Sequence, residues 1–242
     1  MSPAARRLAL LVLLTAASYP LGLWLGQRWL LPLLNTAPAY VTLVRLARRG
    51  QRAEAVRAML LWAVVLALAG TFAFATWPTD PGPQVLHGPE YRAEMFRWIR
   101  TGEGSEGSPR LFLPQHLLHL VAFVALCLVT ASAAGITLGA VLMNYMAFYV
   151  ASLHRAGAPL GAVVLLGWQP WAICRVAAFC VLGVVLAEPL LARLEGFPAG
   201  GARAARPYLL AAAAGILADW ALKAFLAPTW GLWLRALLPA SP

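Results

Sequence analysis

The chain has 242 residues, of which 61% are hydrophobic and only 12% are charged. A soluble domain carries about 25% charged residues, so this composition excludes an ordinary soluble domain. The net charge of +10 comes from eighteen arginines and one lysine against nine acidic residues. Such an excess is typical of cytoplasmic loops that face anionic headgroups, and no nucleic-acid recognition motif accompanies it. These properties predict a multi-pass protein of the inner (plasma) membrane that contacts the lipid bilayer and binds no nucleic acid.

Apolar runs separated by arginines organise the first third of the chain. Residues 8–26 are long enough to cross about 30 Å of hydrocarbon, and no clear cleavage site follows, so they are interpreted as a retained anchor. Residues 29–44 contain two prolines and form either a short span, which would place the N-terminus in the cytoplasm, or a re-entrant segment. Five arginines and one glutamate in residues 45–57 predict a cytoplasmic segment, and residues 59–77 form the next span.

The longest polar stretch, residues 78–114, carries four arginines and five acidic residues. This near-balance of charge favours the side of the membrane opposite the cytoplasm. Residues 89–100 have apolar side chains at helical spacing, which predicts a short amphipathic helix that lies on the headgroups or caps the helix bundle. The apolar face of this helix is formed by Tyr91, Met95, Trp98 and Ile99.

Residues 117–153 are almost entirely apolar and too long for one span, because 37 residues of helix measure about 55 Å. A tight helical hairpin that turns near residues 131–135 is the better interpretation. Residues 160–187 form the following span, which Pro170 bends or starts and which the Glu-Pro pair at 188–189 closes.

The end of the chain repeats the alternation of basic segment and span. Three arginines in residues 188–206 predict a second cytoplasmic segment, and residues 209–227 form the last span, followed by interfacial tryptophans. The prediction is a single integral membrane domain, residues 1–242, without an internal repeat. Its fold class is all-α, a polytopic transmembrane helix bundle of six or seven membrane segments with a short amphipathic extracytoplasmic helix.

Three ionisable residues lie inside predicted spans: Arg175, Asp219 and Lys223. A charge at bilayer depth costs from about 2.5 to more than 10 kcal/mol, so such residues face the interior of a bundle and are paired. Asp219 and Lys223 are four residues apart and share a helix face. One interpretation is a charge relay or ion-coupling site. The other is a neutralised pair, extended by Arg175, that locks two helices together, with one positive charge in excess that could face water, an anion or a lipid headgroup.

His116 and His119 begin the hairpin and share a helix face, because they lie three residues apart. Such a pair could bind a metal ion with Glu94 or His87 as a third ligand, or it could hydrogen-bond the loop and the headgroups. The motifs His-Glu-x-x-His and Gly-x-Ser-x-Gly, typical of intramembrane zinc and serine proteases, are absent from the sequence. No cofactor is therefore predicted, and an intramembrane enzyme centred on the two histidines is an alternative.

Asn144, Tyr145 and Tyr149 place polar groups in the second arm of the hairpin. An asparagine in a span usually hydrogen-bonds a neighbouring helix, for about 1 kcal/mol. Gly135 and Gly139 in the same arm form a small-residue face that permits close helix approach. This polar hairpin is interpreted as packing, with a pore lining as the alternative.

Five short segments follow one another in a recognisable order: FLPQH at 112–116, GITLG at 135–139, LGV at 182–184, ILAD at 216–219 and LAP at 226–228. This order, over residues 58–228, resembles the stage II sporulation protein M (SpoIIM-like) integral membrane family. That family has Asn-Gly in the hairpin and Pro-His-Gly after it, where this chain has Asn144-Tyr145 and Gln-Pro-Trp at 169–171. The resemblance implies a non-enzymatic component of a multi-protein membrane assembly and no catalytic residues.

The leading functional interpretation is a non-enzymatic polytopic inner-membrane protein that acts as a scaffold or permease-like subunit. Its partner would be another membrane protein or a second copy of the chain. The sequence contains no catalytic motif and no nucleotide-binding loop, so ATP-driven work would require a partner chain. The alternatives are a transporter or channel that uses Arg175, Asp219 and Lys223, and the enzyme centred on His116 and His119.

Overall fold

The computed structural model describes residues 2–196 and 201–239, and over these ranges the protein is all-α. Its nine helices there are α1 (Pro3–Leu25), α2 (Leu30–Ala47), α3 (Arg52–Thr76), α4 (Gly88–Thr101), α5 (Pro109–Val129), α6 (Ala133–Arg155), α7 (Leu160–Gly167), α8 (Pro170–Glu195) and α9 (Ala202–Leu237). All except α4 and α7 are long and apolar enough to cross a membrane, which gives seven candidate spans. The predicted membrane bundle is confirmed, with the larger of the two predicted span counts. Part of the predicted basic segment 188–206, residues 197–200, lies outside the described residues.

The second span, α2, is a continuous helix although it contains two prolines. Pro32 lies in the first turn, where backbone N–H groups lack helical partners in any case. Pro38 removes one hydrogen bond inside the helix, which a transmembrane helix tolerates when neighbours pack against it. Both α1 and α3 pack against α2. Of the two interpretations of residues 29–44, the structure supports a full helix of 18 residues.

The first arm of the hairpin begins earlier than predicted. α5 starts at Pro109, so the polar stretch covers residues 78–108 rather than 78–114. Proline is favourable at this position, because the first N–H of a helix has no partner and the ring fixes a helical φ. The apolar run from residue 117 marks only the part of α5 that is almost entirely hydrophobic, and residues 109–116 before it belong to the same helix.

The segment predicted as one span over residues 160–187 contains two helices. Pro170 starts α8, one of the two roles predicted for it, while α7 ends at Gly167. The predicted closure at Glu188 and Pro189 is wrong, because α8 continues to Glu195. Pro189 is exposed on the helix surface and costs a single backbone hydrogen bond. The helix ends instead at Glu195 and is followed by Gly196, whose φ of 71° is the left-handed conformation that favours glycine.

The hairpin of α5 and α6 turns at residues 130–132, where two consecutive residues adopt positive φ angles of 49° and 68°. Gly135 packs so closely on α5 that a Cβ atom there would overlap the Cys127 sulfur. Gly139 meets open space, since no atom of the described residues lies within 4 Å of a Cβ built on it. The predicted hairpin is confirmed, but only the first glycine of the small-residue face serves close approach of the two arms.

We expect Gly135→Ala to lower the free energy of unfolding by about 1–3 kcal/mol, because the added methyl group overpacks the contact with α5. The matched control is Gly139→Ala, which we expect to be neutral or stabilising by up to about 1 kcal/mol through helix propensity. The stability of both variants is measured by thermal unfolding in detergent, where a fluorescent maleimide reacts with the buried cysteines as they become exposed. Equal stability of the two variants would contradict the close approach at Gly135.

Ion pairs join the two basic segments at one end of the bundle, here called the arginine end (residues 45–57 and 188–196). Arg48 pairs with Glu195. Arg52 donates to both carboxylate oxygens of Glu188, over 2.7 and 2.5 Å. These ion pairs place residues 45–57 and 188–196 at the same end of the bundle. The positive-inside rule predicts that this end faces the cytoplasm.

The opposite end, here called the polar-loop end (residues 77–108), is covered by α4. The apolar face of α4 is buried at Met95, Trp98 and Ile99, and the helix packs against α6 and α9. The predicted amphipathic helix is confirmed, and of its two predicted placements the structure shows the one that caps the bundle. Arg235, near the end of α9, fixes α4 further by donating to the Ile99 carbonyl oxygen over 2.7 Å.

Candidate functional site

Five ionisable side chains meet between α5, α8, α9 and the loop at the polar-loop end. This buried ion network consists of Glu106, His116, Arg175, Asp219 and Lys223. Four of the side chains are no more than 9% exposed, and that of Arg175 is 19% exposed. The structure thus brings together the three charges singled out in the sequence and adds one histidine and one glutamate.

Lys223 is almost fully enclosed at the loop side of the network. Its Nζ donates to Glu106 Oε1 over 2.8 Å and lies 4.7 Å from the centroid of the Phe112 ring. The carboxylate and the negative face of the ring replace the water that a free ammonium group would bind. Glu106 reaches this position from a single 3₁₀ turn, Ser105–Gly107, which follows Gly104 with its positive φ of 131°.

Asp219 lies one turn before Lys223 and forms the other half of the network. Its Oδ2 is 3.1 Å from His116 Nδ1, and its Oδ1 is 3.7 Å from Arg175 Nη1. Neither oxygen has an aligned hydrogen-bond donor among the described residues, although both are buried. Asp219 is therefore held mainly by charge, with His116 Nδ1 as the nearest possible donor to its carboxylate.

His116 stands between the two halves. Its Nε2 lies 2.5 Å from Arg175 Nη1 and 3.3 Å from Lys223 Nζ, so two cationic donors converge on one ring nitrogen. Because those donors need an acceptor, the favoured neutral tautomer has Nε2 unprotonated. The ring proton of this tautomer is on Nδ1, which faces Asp219. A neutral His116 in this tautomer links the cations to the carboxylate without adding charge.

The charges of the network sum to zero when His116 is neutral: two cations, Arg175 and Lys223, balance two carboxylates, Glu106 and Asp219. The expectation of one positive charge in excess is therefore wrong, because sequence reasoning missed Glu106. The only signal for it was the position of Lys223, one helical turn from Asp219 toward the polar-loop end. That position required an acid from the loop, but all five acidic residues of the polar stretch were equal candidates.

His119 lies outside the network, half-buried one turn further along α5. The other candidate ligands are elsewhere: Glu94 pairs with Ser105, and His87 is exposed. Within residues 2–196 and 201–239, no three His, Cys, Asp or Glu side chains come together as a metal ion would require. The metal hypothesis for His116 and His119 thus lacks a third ligand in the part of the chain that is described.

The polar residues of the second hairpin arm divide between two places. Tyr145 and Tyr149 face α4, with ring centroids 4.4 and 5.9 Å from that of Tyr91. Tyr149 is buried, and its hydroxyl has no hydrogen-bond partner among the described residues. Burial raises the pKa of Tyr91 well above its usual range, and the nearby Glu106 carboxylate raises it further. The Tyr91 hydroxyl therefore stays neutral beside the ion network.

Asn144 faces the opposite side of α6 and joins a hydrogen-bond chain across four spans. Its amide nitrogen donates to Asn35 Oδ1 over 2.7 Å, and Tyr19 Oη lies 2.9 Å from its Oδ1. The amide nitrogen of Asn35 donates to the Ser18 hydroxyl over 2.6 Å, and Trp62 donates to the Asn35 carbonyl oxygen over 2.9 Å. These bonds tie α1, α2, α3 and α6 together in the core, which is the contact that the packing interpretation of Asn144 predicts.

The buried ion network links α9 to α5, to α8 and to the loop at the polar-loop end. α9 packs chiefly on α8 and exposes large apolar side chains, among them Leu217 at 62% and Phe225 at 80%. Chemically, the network can hold α9 through ion pairs, or it can pass a proton between His116 and Asp219, whose facing atoms are 3.1 Å apart.

Comparison with known proteins gives no family assignment: no family model, no curated protein and no solved structure matches this chain.

Proposed function

We propose that this protein is a non-enzymatic subunit of an inner-membrane assembly, a scaffold or permease-like partner, in which the buried ion network is a structural lock. Its place in the lipid bilayer follows from seven long apolar helices. The proposal adds the role: the chain offers a fixed arrangement of spans to a partner protein or to a second copy of itself.

One observation carries this proposal: the charges inside the bundle are balanced by other charges of the same chain. Lys223 is paired with Glu106 at 2.8 Å, and Asp219 lies between His116 and Arg175. A balanced set of buried charges needs no substrate ion for neutrality, whereas removal of one member strands its partner at high cost. Such a set holds helices in one arrangement, which is the property that a scaffold requires.

The resemblance to the SpoIIM-like membrane proteins supports the same role. It implies a non-enzymatic part of a multi-protein assembly, and its segments fall on the hairpin of α5 and α6 and on α8 and α9. Those are the helices that carry four of the five members of the ion network. The polar segment that precedes the hairpin supplies the fifth, Glu106.

A second candidate, a transporter or channel that uses Arg175, Asp219 and Lys223, is favoured by one feature. Among the described residues, no aligned hydrogen-bond donor reaches the two buried Asp219 oxygens, and Arg175 beside them is the most exposed member of the network. An intramembrane carboxylate with free acceptor capacity is typical of proton and ion pathways. The transporter would use the same cluster as a coupling site rather than as a lock.

Asp219→Asn separates the two candidates, with Asp80→Asn at an exposed site of the polar segment as the control. We expect Asp219→Asn to lower the unfolding temperature and to reduce, in parallel, the fraction of chain that migrates as a complex on native gels. We also expect wild-type vesicles to dissipate a pH gradient no faster than empty vesicles. A faster wild-type leak that Asp219→Asn abolishes while the fold stays intact would establish the transporter instead.

A further inference from the structure

A groove of about 840 Å³ lies between α1 and α2. Its walls are mostly aliphatic, and Leu10, Leu14 and Leu21 are each about half exposed, at 51%, 55% and 45%. Ser18 and Thr42 are the hydroxyl groups among the lining residues. The volume is within the range of roughly 300–1,000 Å³ that is typical of small-molecule sites. The groove lies away from the buried ion network, since none of that network's members lines it.

Four arginines line one end of this groove: Arg6, Arg7, Arg45 and Arg49. α1 starts and α2 ends at the arginine end of the bundle, so the two helices bring their arginines to the same level. Among the described residues, none of the four forms an ion pair. Their neighbours in residues 45–57 do, since Arg48, Arg52 and Arg57 each contact a glutamate. The groove thus ends in four positive charges that the described chain leaves uncompensated.

The length of the groove matches one leaflet of a bilayer. From Arg7 to Leu21 the helix α1 rises about 21 Å. The hydrocarbon of one leaflet is roughly 15 Å thick, and the remaining length is about the depth of one headgroup region. An occupant with an anionic head at the arginines and an apolar tail along the leucines would satisfy both parts of the groove. Arginine suits phosphate because its planar fork donates two parallel hydrogen bonds to it.

We propose that this groove binds an anionic phospholipid, with its phosphate at the four arginines and an acyl chain between α1 and α2. Basic pockets between spans on the cytoplasmic side are a known way to hold acidic lipid headgroups. The occupant is a single lipid recognised by its charge, drawn from the leaflet at the arginine end. This site is independent of the role proposed for the ion network.

Native mass spectrometry of the purified full chain tests the site, using phosphatidylglycerol and phosphatidylcholine with identical acyl chains. We expect wild-type protein to retain phosphatidylglycerol preferentially. Arg45→Gln/Arg49→Gln should weaken that retention about 30-fold, since each arginine near an anionic surface contributes roughly fivefold. The control, Arg203→Gln/Arg206→Gln, removes two exposed arginines outside the groove and should keep the preference.

A photo-reactive amino acid at position 37, in the exposed wall of the groove, identifies the occupant directly. We expect it to cross-link phospholipid, and Arg45→Gln/Arg49→Gln to reduce that product. Equal retention of the two lipids by wild-type protein would mean annular lipid and would overturn the proposal. So would an equal loss in the control variant, or cross-linking to polypeptide, which would indicate a partner helix in the groove.

Discussion

Replacing Glu106 by glutamine is expected to lower the free energy of unfolding by about 3–5 kcal/mol, the usual cost of stranding one member of a buried ion pair. Lys223, with only 1% of its side chain exposed, would lose the carboxylate that balances its positive charge. The glutamine amide can accept the hydrogen bond but cannot neutralise the ammonium group. Thermal unfolding in detergent, reported by maleimide labelling of Cys127 and Cys180, measures the loss, because both thiols are buried in the native fold.

Two further variants show whether the loss comes from charge. Glu103→Gln changes an exposed acid of the same loop and should alter stability by no more than about 0.5 kcal/mol. Glu106→Gln combined with Lys223→Met removes both charges and should recover most of the stability, because neutral replacements of a whole buried pair are often harmless. If the double variant is as unstable as Glu106→Gln alone, the pair is not what holds the loop on α9.

The spans were predictable because the bilayer imposes a local requirement, about 20 apolar residues in succession. This requirement located the apolar parts of α3, both hairpin arms and α9 without knowledge of their neighbours. The extent of α9 was underestimated, because the helix runs from Ala202 to Leu237 and not only over the predicted residues 209–227. The proline positions were harder to interpret, because the effect of a proline depends on where the helix begins. Pro109 and Pro170 each start a helix, whereas Pro38 and Pro189 lie inside helices and are tolerated.

The ion network shows the limit of the same reasoning. The cost of a buried charge singled out Arg175, Asp219 and Lys223, because that cost does not depend on the partner. The identity of the partner does depend on the fold. Glu106 is selected by the 3₁₀ turn Ser105–Gly107 and by the packing of that turn on α9, a contact between distant parts of the sequence.

The amide chain in the core illustrates the same point. Asn144 was expected to bond a neighbouring helix, and it does so, but its partner Asn35 lies in the segment with the weakest hydropathy of the seven spans. A polar residue lowers the hydropathy of a span and can also hydrogen-bond that span to another one. Asn35 thus contributes both to the low hydropathy of α2 and to its attachment to α6.

Replacing Glu188 by glutamine at the arginine end is expected to cost about 2–3 kcal/mol, less than the loss at Glu106 because water reaches this pair in part. The side chains of Arg52 and Glu188 are 11% and 10% exposed, and their contact is bidentate, at 2.7 and 2.5 Å. Arg52 also lies 5.5 Å from the centroid of the Tyr208 ring, so the pair links α3 and α8 to the start of α9. The same maleimide assay measures the change.

The matched control lies in the same segment. Glu54→Gln breaks the ion pair with Arg57, in which the side chain of Glu54 is 48% exposed and that of Arg57 is 73% exposed. An exposed pair contributes no more than about 1 kcal/mol, so this variant should unfold close to wild type. A loss at Glu188 no greater than that at Glu54 would contradict a role for the buried pair.

Because Glu188 and Glu106 fix α9 at opposite ends without shared partners, their losses should add in the double variant. A shortfall from additivity would mean that α9 detaches as one unit when either end is released.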